Sequence, residues 1–470
     1  MMKKNTFTRR QMLQNAAGGF GSLALAGMLA KDNFAATASG LLPAGVADPL
    51  APKPAHLPAR AKQVIFIFLN GGLSHVDSFD HKPKLTADAG QTVKFYEWQG
   101  KPGDYTFFLK PPQWEFRPGG ESGLLVSDLF PHIRGVADEL CVINSLCADH
   151  TNHYEASLGM HTGSFTFARP SVGAWVSYGL GSENHNLPTF VAITPTLPYA
   201  GTQAWGADFL PGCHQGTHIR PGEEPIVHLK PRTASQRLQR LELDLIEEAN
   251  RRQLGQRPED AALEARIRSF ETAFGMQRAA PEVFDLSKES DATLNMYGMS
   301  REDRGFAWQC LVARRFAERG VRYIELVNSN WDQHGDMMGH VPLAKQVDQP
   351  VAALVSDLKS RGMLDDTLVV FTTEFGRTPH HMSKDAKGRE HHHQVFSSWL
   401  AGGGVRPGMA YGTSDDYGIE PADKRVHLHD FHATLLHLLG LDHERLTYRH
   451  AGRDYRLTDV HGEVVRDIIA

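Results

Sequence analysis

Val64-Ile65-Phe66-Ile67-Phe68-Leu69 is an unbroken apolar run of β-branched and aromatic side chains that stops at Asn70-Gly71-Gly72. A strand solvated on one face alternates apolar with polar residues. An unbroken run therefore describes a strand covered on both faces, with a loop at its carboxyl end. Comparable runs recur at Leu140 to Asn144, Pro188 to Thr194, Val321 to Val327, Leu368 to Thr373 and Ser397 to Ala401. Helical patterns lie between them. Arg301 to Arg319 sets Phe306, Leu311, Ala313 and Phe316 among charged residues and stops at Gly320. Gln346 to Arg361 carries Val347, Val351, Leu354, Val355 and Leu358 and stops at Gly362. This alternation predicts an α/β fold: a mostly parallel central sheet with helices on both faces, and ligands beyond the carboxyl ends of the strands.

Residues 234–276 break the rhythm. Leu238, Leu241 and Leu245 form one stripe, and Leu263, Ile267, Phe270 and Phe274 a second, with Gly255 and Pro258 between. The pattern is a helical hairpin inserted in the main domain; packing on the core is its simplest use, and a lid or dimerisation arm is the other. At the N-terminus, Arg9-Arg10 precede a Gly- and Ala-rich run, Ala16 to Ala30, and a small-residue site at Ala36-Thr37-Ala38. Residues 1–38 thus resemble a twin-arginine export signal, followed by a proline-rich leader at 39–61 and the main domain at 62–470. The expected location is periplasmic or extracellular, without a stable membrane span in the mature chain. Cys141, Cys147, Cys213 and Cys310 form no CxxC pair, so no zinc knuckle or dense disulfide framework is indicated. A net charge of -5 gives no global basic field, which argues against nucleic acid as a partner. Nothing in the sequence fixes an oligomeric state.

Two strand ends carry metal-type chemistry. Thr372-Thr373-Glu374-Phe375-Gly376-Arg377-Thr378-Pro379 follows one apolar run and leads to His391-His392-His393; Asn330-Trp331-Asp332-Gln333-His334-Gly335-Asp336 follows another. Of 25 histidines, 14 fall between His334 and the C-terminus, in the same region. Carboxylates and imidazoles converging at strand ends point to a metal-assisted hydrolase.

Six motifs in order carry a family resemblance: Asn70-Gly71-Gly72-Leu73-Ser74-His75-Val76-Asp77-Ser78-Phe79-Asp80, Trp331-Asp332-Gln333-His334, Thr373-Glu374-Phe375-Gly376-Arg377-Thr378, Gly388-Arg389-Glu390-His391, Ala401-Gly402-Gly403-Gly404 and Leu457-Thr458-Asp459-Val460-His461-Gly462. From about residue 62 to the end, the chain resembles the exported bacterial DUF1501 proteins, a family similar to the alkaline phosphatase and sulfatase superfamily. That resemblance implies a metal-dependent hydrolase of sulfate or phosphate esters, with a small-molecule or glycan ester as substrate. It also implies the site residues. Asn70 stands where the superfamily has a metal-binding aspartate, with His75, Asp77 or Asp80 as substitutes. Asp332 and His334 match a ligand pair, with Asp336 and His340 as the alternative spacing. Glu374 keeps a carboxylate ligand while Phe375 replaces its neighbour, and His391, or His392, matches a late histidine. The nucleophile position falls on His153, with Thr151 and Ser157 as lesser candidates, and no Cys-x-Pro-x-Arg motif for formylglycine occurs. On this reading Asp332, His334, Glu374 and His391 hold a divalent ion (zinc, calcium or manganese), Asn70 and His153 complete the shell or serve the leaving group, and Arg377 clamps the anion. The alternative is a non-catalytic binding protein that keeps the fold.

Overall fold

The Val64–Leu69 run forms the strand on which the whole sheet is centred. In the computed structural model, residues 48–470 are described apart from 99–100, 228, 230–234 and 257–260. The signal-like segment and residues 39–47 of the leader lie outside the described residues. The nine strands of the main sheet are β1 (Gln63–Asn70), β2 (Leu140–Cys147), β3 (Phe190–Ile193), β4 (Thr217–Ile219), β5 (Tyr323–Ser329), β6 (Thr367–Thr372), β7 (Phe396–Ala401), β8 (Met409–Tyr411) and β9 (Val426–His427). Their order is β8-β2-β7-β6-β1-β5-β3-β4, with β9 also paired to β2. All run parallel except β7, which is antiparallel to β6 and to β2. All six apolar runs become strands; β4, β8 and β9 have three residues or fewer and leave no pattern to read.

The longer helices are α1 (His153–Thr162), α2 (Val172–Leu180), α3 (Gln236–Gln256), α4 (Ala261–Phe284), α5 (Phe306–Ala317), α6 (His340–Ser360) and α7 (Leu428–Leu438). The two-residue period of β1 divides them into layers. Ile65, Ile67 and Leu69 pack in a core with Leu311 and Val312 of α5 and Val347, Val351 and Leu354 of α6. Val64, Phe66 and Phe68 point the other way, to Leu158 of α1, Trp175 of α2 and Leu435 of α7. Each such burial contributes roughly 1.5–3 kcal/mol, which explains why β1 has no polar position between Gln63 and Asn70. The mostly parallel α/β architecture is thus present, with helices on both faces. Among the described residues no helix is long and apolar enough to cross a membrane.

Helix boundaries shift for local reasons. α5 starts at Phe306 rather than Arg301, because Gly305 takes the extended N-cap conformation. α6 starts at His340, ahead of the Gln346 expected, with Pro342 in its first turn, where a missing N–H costs nothing. In the inserted pair, α4 buries Ile267 of its expected stripe, together with Met276, Ala280 and Val283, while Phe270 of that stripe is 51% exposed. α3 does not follow suit: Leu238, Leu241 and Leu245 are 57%, 43% and 47% exposed, so its leucine stripe faces solvent rather than a core. Gln239 donates to Gln277 at 2.6 Å, and Arg240 lies over the Phe274 ring, which joins the two helices through polar contacts. Gly255, expected between the two helices, falls within α3, and Pro258 lies outside the described residues.

The loop after β1 is pinned by a buried ion pair. Arg389 Nε donates to Asp77 Oδ2 at 2.7 Å, and Asp77 also accepts from Ser74 Oγ at 2.6 Å and Gln113 N at 2.7 Å. Burial raises the Asp77 pKa, but Arg389 and these donors outweigh it and hold the carboxyl below its ordinary value. Asp77→Ala leaves a guanidinium buried without its partner and is expected to lower unfolding free energy in urea by about 3–5 kcal/mol. In the wild type that contribution is complete above the unfolded carboxyl pKa, about 3.9, and fades as pH falls through the lower folded value. Leu241→Ser, on the exposed stripe, should shift stability by no more than about 0.5 kcal/mol in the same assay.

Candidate metal centre

Four parallel strands deliver the site, because β1, β2, β5 and β6 all end at one edge of the sheet. β7 runs the other way, so the segment leading into it, His391-His392, arrives at that same edge. A two-residue ladder, Gly376 to His392 and Arg377 to His391, locks this segment to the loop after β6. After β5 the chain turns at Asn330, whose φ of 81° is a left-handed conformation that Asn tolerates. Trp331 then drops into the core, its Nε1 donating to Asn328 Oδ1 at 2.8 Å, and Asp332 is left at the rim. Gly71 permits the close approach, since a Cβ there would meet Trp331 N at 2.6 Å.

Three imidazoles surround Asp332, and each is anchored through Nδ1. His153, the first residue of α1, places Nδ1 2.7 Å from Glu374 Oε1; His334 Nδ1 lies 2.9 Å from Glu390 Oε2; His391 Nδ1 donates to the Thr151 carbonyl at 2.7 Å. All three present Nε2 to the same carboxylate. His334 and His391 Nε2 stand 3.0 and 3.2 Å from Asp332 Oδ1, and His153 Nε2 is 3.2 Å from Oδ2. The last contact has ion-pair distance without hydrogen-bond alignment. The two nitrogens of His334 and His391 are themselves 2.9 Å apart.

That convergence fits a cation. A carbonyl can only accept, so His391 Nδ1 carries a proton and a neutral ring leaves Nε2 as a lone pair. A second imidazole nitrogen and a carboxylate oxygen crowd it, and acceptors at such separations need a positive charge between them. Bonds of ~2.0–2.1 Å to a tetrahedral ion put neighbouring ligand atoms ~3.3 Å apart, close to these spacings. The ligand atoms of His153, Asp332 and His391 also lie within 4.8 Å of one another. Burial raises the Asp332 pKa, yet the contacts with His153, His391 and Arg377 overcome this and keep the carboxyl ionised far below its usual range. Burial lowers His153, but its two carboxylate neighbours outweigh this and raise its pKa overall; for His391 burial prevails and the pKa falls.

Several expected roles change. Glu374 is fully buried and accepts from Gly71 N at 2.8 Å and Thr373 Oγ1 at 3.1 Å as well as facing His153, so it stands behind an imidazole rather than in the ligand set. Arg377 is also fully buried. Its donors reach the carbonyls of Gly71, Gly72, Trp331 and Arg389 and, at 2.6 Å, Asp332 Oδ1, which leaves no fork for an anion and makes it a positioning group. Asn70 accepts from Tyr199 N at 3.2 Å through Oδ1 and supports the loop whose Tyr199 ring stacks on His153, centroids 4.2 Å apart; it does not reach Asp332. His75 bonds Gly418 O, His392 bonds Ile419 O, and Asp80 pairs with Lys82, all away from the centre. Asp336 caps Met338 N and His340 is fully buried, so the alternative pair is structural. Thr151 contributes its carbonyl, and Ser157 is buried within α1. Glu390, the Thr151 carbonyl, Tyr199 and the position of Phe375 behind the rings of His153 and His391 were not foreseen as site components.

The family model described as "Protein of unknown function (DUF1501)" matches residues 61–469. The chain belongs to the DUF1501 family. No curated protein matches the sequence. Among solved structures it is similar to the lipoteichoic acid synthase LtaP from Listeria monocytogenes, at 10% identity over 87% of this chain and 79% of that one, TM-score 0.33. It is also similar to the PsFucS1 sulfatase from Pseudoalteromonas sp., at 13% identity over 82% and 69%, TM-score 0.35. A third is the phosphonate monoester hydrolase SpPMH from Silicibacter pomeroyi, at 10% identity over 86% and 76%, TM-score 0.34. The chemistry of this DUF1501 protein rests on its own residues.

Glu390 sits 35% exposed, so Glu390→Gln should fold normally while weakening the hold on His334. Metal affinity measured by competition with a chelating dye is expected to drop about 10–100-fold, with an unchanged circular dichroism spectrum.

Proposed function

We propose that this DUF1501 protein is an exported, metal-dependent hydrolase of phosphate or sulfate esters, acting in the periplasm or outside the cell. One observation carries the reading: imidazoles anchored at Nδ1 and focused through Nε2 on Asp332, at the carboxyl edge of a parallel sheet. Asp332, His334 and His391 would hold a divalent ion, and the imidazole-rich set favours the zinc class over calcium, which takes oxygen ligands. When bound, that ion would supply Lewis acidity toward an ester oxygen and activation of water at neutral pH.

The chain's own groups supply the rest. His153 has Nδ1 directed at Glu374 Oε1, 2.7 Å away, and Nε2 facing the centre 3.2 Å from Asp332 Oδ2, where the imidazolium form would offer a proton to a leaving oxygen. Tyr199 stacks on the ring and Phe375 backs it, which fixes the direction in which that proton is offered. His153 is also the first residue of α1, whose positive end faces the centre and favours an anionic substrate. The ester class itself, and a glycan or small molecule as its carrier, follow from the motif resemblance. Export follows from the twin-arginine pattern.

A second reading is favoured by Arg377, whose guanidinium is engaged by carbonyls and so grips no anion: a metal-binding protein without turnover. Metal content and hydrolysis of aryl phosphates and aryl sulfates separate the two. The hydrolase reading expects stoichiometric metal with turnover, both lost in Asp332→Asn. His153→Gln should retain metal and lower kcat by about 10²–10⁴. Metal-loaded protein inert across the panel supports the second reading, and metal-free protein contradicts both.

A further inference from the structure

A second group of ligating side chains lies at the same edge of the sheet. β9 pairs in parallel with β2, which puts His427 beside Cys147, and Asp149 follows two residues later. α7 begins immediately after β9, so His429 is brought up by its first turn. The ligand atoms of Asp149, His427 and His429 lie within 4.8 Å of one another. His427 Nε2 is 3.1 Å from both oxygens of Asp149. His429 is only 8% exposed, and its Nδ1 is buried with no hydrogen-bond partner. A buried ring nitrogen without a partner is costly, and a bound ion satisfies it. His461 stacks on the His429 ring, centroids 5.2 Å apart at 24°, which holds its orientation.

We infer that Asp149, His427 and His429 form a second divalent-metal site of the zinc class, separate from the Asp332 centre. Two imidazoles and one carboxylate suit a borderline ion, three protein ligands leave a position open to solvent, and exposed Asp149 offers the way in. His427 Nδ1 now accepts from His429 N at 3.3 Å as the cap of α7, so a neutral ring carries its proton on Nε2, toward Asp149. Metal entry moves that proton to Nδ1 and exchanges a long cap bond for a coordinate bond. The ion would join β2, β9 and α7, and so stiffen the segment after β2 that carries Thr151 and His153.

The test is zinc titration of the purified full chain after chelator treatment, followed by calorimetry and by metal analysis of dialysed protein. Wild type is expected to take up two zinc ions per chain. Asp149→Asn and His429→Ala should each lose one, His461→Phe should keep both, and Asp332→Asn should lose only the other. Asp149 is exposed, so its variant remains informative if His429→Ala misfolds. Undiminished stoichiometry in Asp149→Asn would overturn the assignment, whatever Asp332→Asn does.

Discussion

The contact between Arg377 and Asp332 governs the arrangement of this edge of the protein. A fully buried guanidinium reaches four carbonyls on the loops after β1 and β5 and before β7, and its remaining strong bond, 2.6 Å, fixes the one carboxylate to which three histidines turn. Removing Asp332 would leave the fully buried guanidinium without its counter-charge, at a penalty of several kcal/mol. The pair is therefore better understood as a fixture for geometry than as a source of net stability. Lysine cannot replace the arginine here, since a single ammonium lacks the planar set of donors that several loops share.

From that fixture the centre is built outward by hydrogen bonds to Nδ1. Glu374, Glu390 and the Thr151 carbonyl set the orientation of their rings, and each comes from a different loop. A metal centre made this way tolerates sequence separation between ligands, because the partners behind the rings carry the precision. It also explains the burial gradient. Glu374 is sealed beneath His153, whereas Asp332 and His334 remain 30% and 40% exposed and open the centre to solvent.

Much of the fold was legible because both faces of the sheet are covered, so strands such as β1 and β6 read as unbroken apolar runs. Direction was not legible. β7 is as fully buried as β6, and only its partners' register makes it antiparallel. That matters to the site, since the reversal is what returns His391 to the carboxyl edge. The residue types at the centre were also visible, in Trp331-Asp332-Gln333-His334 and in His391. Their division into ligands and supports was not: Glu374 and Arg377 look like a ligand and an anion clamp in sequence, and become supports only once Gly71, Gly72 and His153 are packed against them. Tyr199 and the Thr151 carbonyl gave no signal at all, a backbone oxygen having no residue type. The α3 stripe shows the opposite failure, a periodic pattern without a core to receive it.

An anomalous-difference map from zinc-loaded crystals tests the central claim most directly, because it locates each ion against named atoms. The account predicts a peak bonded at about 2.0–2.1 Å to Asp332, His334 Nε2 and His391 Nε2, with the Glu374 carboxylate still behind His153. Zinc bonded to Glu374, or no peak beside Asp332, would contradict it.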